Sequence, residues 1–307
     1  MRAIRLLDTA ATAVIIEENI PAPQPGPNDL LIRVLAAGVT PTELAWYPTS
    51  HRKTGEKRTG AIPGHEFSGV VAAAGEQVQG VEAGQEVYGM NDWFADGAMA
   101  EYCLAQPSGV APKPPHLSHV EAAAVPIGAL TAWQGLFDRA GLRTGERVLV
   151  HGGAGAVGVF AIQLARLRGA HVVATASARN IDFVAESGAE QVIDYRSARF
   201  EERVRDVDVV FDTVGGETLQ RSWDVLKPGG RMVTIAGSGE SPDVRIREAF
   251  FIVEPNQKQL IEIGQLLEAG DLRPVVDAVA PLSQASAAFR GELKGRVGRG
   301  KVVIAVS

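Results

Sequence analysis

Cysteine is almost absent. Cys103 stands alone among 307 residues. One thiol excludes an intrachain disulfide and any thiolate zinc cluster, and it fits a reducing compartment. Long apolar runs are missing too. No stretch approaches the roughly 20 residues of a membrane span. The apolar run from Ala10 to Ile16 is short and meets Glu17 and Glu18 at once, so a secretory leader is not expected and the expected location is the cytoplasm. Basic character is also scarce. The net charge is −6 and no long basic block occurs, which removes the electrostatic basis for nucleic-acid binding. Arg52, Lys53, Lys57 and Arg58 make only a small cluster, read as a solvated loop. Internal repeats and low-complexity segments are lacking.

Apolar side chains, at 46 %, are enough for two cores, and the length favours two domains. Two styles of sequence separate near residue 122. Before it, short β-prone runs such as Leu30–Leu35 and Phe67–Ala72 alternate with turn signals such as Pro25-Gly26-Pro27 and Pro63-Gly64. That pattern predicts a barrel-like β domain. From about Ala123 helices and strands alternate. A helix over Glu121–Gly135 leads into a second over Trp133–Ala140. Strands follow at Arg147–His151, His171–Thr175, Gln191–Ile193, Val207–Phe211 and Arg231–Ile235, with helices over Val157–Arg168, Ile181–Ser187 and Thr218–Leu226. This rhythm predicts a doubly wound parallel sheet. A helix over Gln257–Ala269 and short strands near Pro274–Val279 and Lys301–Ala305 return to β style. The expected division is 1–122 with 256–307, and 123–255.

The sharpest motif is Gly153-Ala154-Gly155-Ala156-Val157-Gly158. It follows the strand Val148-Leu149-Val150 and opens an apolar-faced helix, the context a dinucleotide site requires. The glycines permit a tight turn and close approach of a pyrophosphate, and the helix N-terminus offers free N–H groups. About 20 residues on, an NAD site carries an acidic residue that binds the ribose. Here that stretch is Thr175, Ala176 and Ser177, with Arg179 just beyond. A serine hydroxyl and a guanidinium suit a 2′-phosphate, so NADPH is the expected cofactor.

These and other ordered motifs resemble the medium-chain dehydrogenase/reductase superfamily, in particular its quinone oxidoreductase (zeta-crystallin-like) branch. They include Ala37-Gly38-Val39, Ile62-Pro63-Gly64-His65-Glu66, Gly97-Ala98-Met99-Ala100-Glu101-Tyr102, Leu130-Thr131-Ala132-Trp133, Phe211-Asp212-Thr213-Val214-Gly215-Gly216 and Leu226-Lys227-Pro228-Gly229-Gly230-Arg231. The resemblance implies a GroES-like β domain plus a Rossmann domain, an α/β fold with the active site between them. It implies Ser177, Arg179 and Tyr195 around the 2′-phosphate, and Thr131, Val214, Ala236 and Gly237 among the cofactor contacts. Dimers are common in the superfamily, so a homodimer is a possible assembly.

Zinc-dependent members place a cysteine where this chain has Thr40 and another ligand near Val125–Gly128, where this chain has none. His65 and Glu66 remain. A catalytic zinc needs three protein ligands, so no metal is expected. Quinone reductases of the branch commonly carry Asn at the Thr40 position, Asp at Glu43 and Tyr at Ala45. Without zinc, alcohol oxidation loses its main electrostatic help. Hydride transfer to a quinone or an α,β-unsaturated carbonyl asks less of the protein, because the acceptor's conjugation takes up the charge. The candidate donors to the developing oxyanion are Thr40, Thr42 and Tyr47, with Tyr47 first as proton donor. His65 is either a polar group in the cleft or a hydrogen-bonded structural histidine. An enoyl-thioester reductase docking its carrier near Arg52–Arg58, and a non-enzymatic NADPH-binding protein, are the alternatives.

Overall fold

The computed structural model describes residues 1–7 and 15–306; most of the Ala10–Ile16 run lies outside them. β1 (Arg2–Leu6) pairs antiparallel with β2 (Ile15–Asn19). β3 (Leu30–Val39) then runs through the middle of a larger sheet. Leu30, Ile32 and Val34 point into the first core while Arg33 is exposed, the period of two expected of a half-buried strand. Ala36–Val39 are all buried, because there a second layer covers the strand. A 3₁₀ turn (Pro41–Ala45) and α1 (Tyr47–Ser50) lead on to β4 (Glu66–Ala74), β5 (Glu86–Met90), β6 (Tyr102–Ala105) and β7 (Val110–Pro112).

α2 (His119–Ala123) starts at a capping box: Ser118 Oγ accepts from Glu121 N, and Glu121 Oε2 accepts from Ser118 N. α3 (Pro126–Trp133) follows and continues as a wider π-type turn over Gln134–Arg139. The sequence pattern predicts one helix over Glu121–Gly135, and the structure corrects this to two. Pro126 has no N–H to continue the first helix and sits in the opening turn of the second.

The second sheet contains β8 (Arg147–Val150), β9 (His171–Ala176), β10 (Gln191–Asp194), β11 (Val207–Asp212) and β12 (Leu226–Thr234). Between them run α4 (Gly158–Leu167), α5 (Ile181–Glu186) and α6 (Gly216–Ser222), and α7 (Val244–Ala249) follows β12. All pairings are parallel, in the order β10-β9-β8-β11-β12. Every residue of β11 is buried, as expected of a central strand covered on both faces. β12 begins earlier than the expected Arg231–Ile235. Its register jumps across Lys227–Gly230, where Gly229 takes a positive φ of 76°.

α8 (Gln257–Ala269) matches its sequence signals at both ends. Asn256 Oδ1 caps Gln259 N, and left-handed Gly270 stops the helix. β13 (Val276–Pro281), α9 (Ala285–Phe289) and β14 (Lys301–Ala305) complete the chain. β14 pairs with β3, so the chain returns to the first sheet after building the second. That return sets Val302 opposite Val39 and brings Lys301 beside Thr40. No described helix is long and apolar enough to cross a membrane.

Candidate active site

β9 and β11 flank β8 on opposite sides, so the strand order reverses at β8 and opens a crevice at the strands' C-terminal edge. The glycine loop from β8 to α4 fills this edge. A Cβ on Gly158 would lie 2.2 Å from Gly152 O, so helix and loop touch at the minimum distance. A Cβ on Gly155 would meet only Gly152 O, at 3.3 Å, leaving that side open for a ligand. Ala154, Ala156 and Val157 lie between these contacts, and α4 has no side-chain cap on its first N–H groups. The loop thus fits a pyrophosphate.

His151 supports the loop from beneath, a role the sequence does not announce. Its Nε2–H donates to Ser222 Oγ (2.9 Å), whose own proton goes to Thr218 O. Its Nδ1 accepts from Thr175 Oγ1 (3.1 Å), and that oxygen accepts from Gly152 N. Burial holds the imidazole neutral, with its pKa pushed down to about 4, and the Asp212 carboxylate opposes the shift.

Ser177 and Arg179 follow β9, and Tyr195 follows β10, which pairs with β9. All three therefore stand at one corner of the crevice. Ser177 is buried, Tyr195 is exposed with Arg196 over its ring, and no carboxylate ends β9. Asp212 holds the N–H groups of Val214 and Gly215 and the Thr234 hydroxyl. It thereby fixes the ends of β11 and β12, where Val214, Ala236 and Gly237 lie. Thr131 is on α3, which touches the loop: a Cβ on Gly128 would be 2.5 Å from Ala156 O. The Thr131 hydroxyl donates to Ile127 O (2.6 Å).

Two buried polar groups face this crevice from the first sheet. In one, the Lys301 ammonium lies 2.5 Å from Glu66 Oε1 and 3.2 Å from Thr40 Oγ1. Glu66 Oε2 accepts from Ile127 N at the start of α3 (2.9 Å). Burial raises the Glu66 pKa, while Lys301 and the Ile127 N–H pull it back. Gly38 makes room, since a Cβ there would lie 2.4 Å from Glu66 Oε1. In the other, Glu43 Oε2 and His65 Nδ1 are 2.7 Å apart, and Glu43 Oε1 accepts from Gly64 N (2.9 Å). Glu43 and His65 are 0 % and 3 % exposed. His65 Nε2 is buried and has no hydrogen-bond partner. Glu43, Lys301 and His151 were not candidates on sequence grounds.

A strap of backbone joins this cluster to the cofactor loop. Gly300 N donates to Ala154 O (2.8 Å), one residue from Lys301. Asp277 accepts from the N–H groups of Val297, Gly298 and Arg299, which shapes the strap. Arg299 reaches Asn180 Oδ1 and Arg179 O, tying the strap to the corner that holds Ser177 and Arg179.

Zinc does not fit this donor set. Among the described residues no three His, Cys, Asp or Glu side chains converge as a metal site. The Lys301 ammonium already lies against Thr40 and Glu66, where a second cation would be repelled.

Trp93 covers His65 at 5.2 Å between ring centroids, meets the edge of Trp46, and donates its indole N–H to Val253 O across the crevice. Thr42 and Tyr47 stand at the rim. Tyr47 is 56 % exposed and stacks on His51, so it does not join the buried cluster. The basic residues 52–58 are partly engaged. Arg58 is buried against Pro48 O, Phe94 O and Asp96, and Lys53 pairs with Asp92.

Residues 26–115 match the family model of the alcohol dehydrogenase GroES-like domain, and residues 187–304 that of the zinc-binding dehydrogenase. The 2-methylene-furan-3-one reductase of Solanum lycopersicum is 35 % identical over 99 % of this chain and 79 % of its own length. The chloroplastic NADPH-dependent alkenal/one oxidoreductase of Arabidopsis thaliana is 32 % identical over 94 % of this chain and 75 % of its own. The structure of a quinone oxidoreductase from Coxiella burnetii superposes with a TM-score of 0.87 at 32 % identity, covering 100 % of this chain and 99 % of that one.

Proposed function

The chain belongs to the medium-chain dehydrogenase/reductase superfamily, and from that premise we propose that it is an NADPH-dependent reductase of quinones or α,β-unsaturated carbonyl compounds that works without zinc. The contact between Gly300 and Ala154 carries this reading, because it sets the buried polar cluster one residue from the cofactor loop. The names of two relatives and one solved structure specify furanone, alkenal/one and quinone acceptors, which supports the substrate class.

We take 123–255 as the unit that holds the cofactor, and 1–122 with 256–307 as the unit that closes over the acceptor. Gly153, Ala154, Gly155, Ala156 and Val157 cradle the pyrophosphate. Ser177, Arg179 and Tyr195 surround the 2′-phosphate, and the lack of a carboxylate at the end of β9 favours NADPH over NADH. Thr131, Val214, Ala236 and Gly237 flank the nicotinamide. When bound, that ring supplies a hydride to the acceptor. His65 is buried and Thr40 half-buried, while Thr42 and Tyr47 are exposed at the rim. A hydroxyl donor among Thr40, Thr42 and Tyr47 would stabilise the oxygen on which negative charge develops, and a preorganised donor lowers the barrier. Alcohol oxidation is disfavoured, since Lys301 stands where a Lewis acid would be needed. Carrier docking at residues 52–58 is weakened by the engagement of Arg58 and Lys53.

NADPH and NADH consumption should be followed with quinones, enones, enoyl thioesters and simple secondary alcohols, each with and without a zinc chelator. Turnover is expected on quinones and enones with NADPH, unchanged by chelation. Robust alcohol oxidation, or loss of activity on chelation, would reject the assignment.

A further inference from the structure

The buried pair Glu43–His65 lacks an assigned task once no metal is held. A carboxylate is acceptor-only, so the 2.7 Å contact fixes a proton on His65 Nδ1. The second oxygen of Glu43 accepts from Gly64 N, which locks the carboxylate in place. Nε2 then points away from Glu43. It is buried and without a partner, and an unpartnered buried polar atom in a native protein calls for an explanation. The His65 ring packs against Trp93, which meets Trp46 edge-on, and flat apolar surfaces of this kind suit a flat conjugated acceptor. The next residue, Glu66, is bonded to Ile127 at the start of α3, the helix that carries Thr131 and touches the glycine loop. Trp93, packed on His65, also donates its indole N–H to Val253 O beyond α7, so His65 lies at the junction of the two units.

We propose that His65, oriented by Glu43, is the acid that protonates a reduced enone, its Nε2–H proton going to the α-carbon. This rests on the reductase reading above. Hydride adds to the β-carbon, and the C=C electron pair moves toward the carbonyl, leaving an enolate. The Nε2–H bond breaks with its electron pair staying on nitrogen, and a C–H bond forms at the α-carbon. The ring is left neutral, still donating Nδ1–H to Glu43, and regains a proton from water after the product leaves. Glu43 compensates the positive charge that the ring carries before transfer. The other charged groups near it are Glu66, the next residue, Lys301 on β14, which pairs with Glu66, and Asp92 after β5, which is paired with Lys53.

A quinone makes a different demand. Its reduced form takes protons on oxygen, where exchange with water needs no catalyst. His65 should therefore matter for enones and not for quinones, a split that a cofactor-positioning or purely structural role would not produce. The probes are 2-methylcyclohex-2-enone and 1,4-benzoquinone, with NADPH and the intact chain. His65→Gln should lose about 10²–10³ in kcat on the enone, a usual span for a general acid. It should keep benzoquinone turnover within about threefold, and its Kd for NADPH, read by fluorescence, should be unchanged. Glu43→Gln should fall between the wild type and His65→Gln. Equal losses on both acceptors, or none on either, overturn the proposal.

Two measurements need no variant. In D2O, wild-type reduction of the enone should place deuterium at the α-carbon on one face, and an equal mixture of faces means the proton comes from bulk water and overturns it. In the ligand-free protein, long-range ¹H–¹⁵N correlations should show His65 Nδ1 protonated at every pH; a bare Nδ1 overturns it too. A wild type inactive on both acceptors would instead remove the reductase reading itself.

Discussion

Lys301 and Glu66 form a buried ion pair, 2.5 Å between Nζ and Oε1, reaching across β3, which lies between β14 and β4. Both are at most 5 % exposed. Removing the cation alone leaves a carboxylate buried without its counter-charge, and such losses typically cost ~3–5 kcal/mol. Lys301→Met should therefore lower stability by about that much, and Lys301→Met/Glu66→Gln should recover most of it. The deficit of the single variant should shrink in acid. Burial raises the Glu66 pKa, so its contribution is complete below its unfolded value and is lost as pH rises through the folded one. Urea unfolding of the three proteins at two pH values checks this. Equal deficits for the single and double variants would show that charge is not what the pair contributes.

Arg179 stands beside Ser177 at the corner where the strap reaches the cofactor domain. A charge-assisted contact to phosphate is worth ~1.5–3 kcal/mol, so Arg179→Ala should weaken NADPH binding about tenfold or more. NADH binding should stay as it is. Titration of both cofactors by fluorescence decides the matter, and equal losses would mean that Arg179 does not read the 2′-phosphate.

His151 predicts an acid-side loss of stability. Its pKa falls from 6.5 to about 4 on folding, so between those values the unfolded chain binds the extra proton. Stability is complete above ~6.5 and drains away as pH drops toward ~4, by on the order of 3 kcal/mol. His151→Gln keeps a donor for Ser222 and cannot take up that proton, so its Tm should vary less over this window. Parallel Tm–pH curves for the two proteins would assign the acid sensitivity elsewhere.

The glycine loop was legible because its backbone contacts admit only glycine at Gly158, where even a Cβ would strike Gly152 O. α8 was legible at both ends, because Asn256 and Gly270 are local signals. Lys301 was not. Its partners Glu66 and Thr40 lie at the other end of the chain, and only the pairing of β14 with β3 brings them together. His151 looked like the end of a strand, since its bonds to Ser222 and Thr175 cross from other elements. Tyr47 offers a hydroxyl in the sequence, but no spacing rule reveals that its ring stacks on His51.

The hydrogen bond from Gly300 to Ala154 also orders events during synthesis. The two residues are separated by nearly half the chain. At ~5–20 residues per second, the ribosome needs on the order of ten seconds or more between them. Through that interval the nascent cofactor loop has its glycines and its helix but lacks the strap that closes its outer edge. β14, arriving late, completes the first sheet, buries Lys301 against Glu66 and closes the loop in one docking step. The edge of the glycine loop and the Lys301–Glu66 cluster are therefore completed together, and a chain stalled before residue 300 would possess neither in finished form.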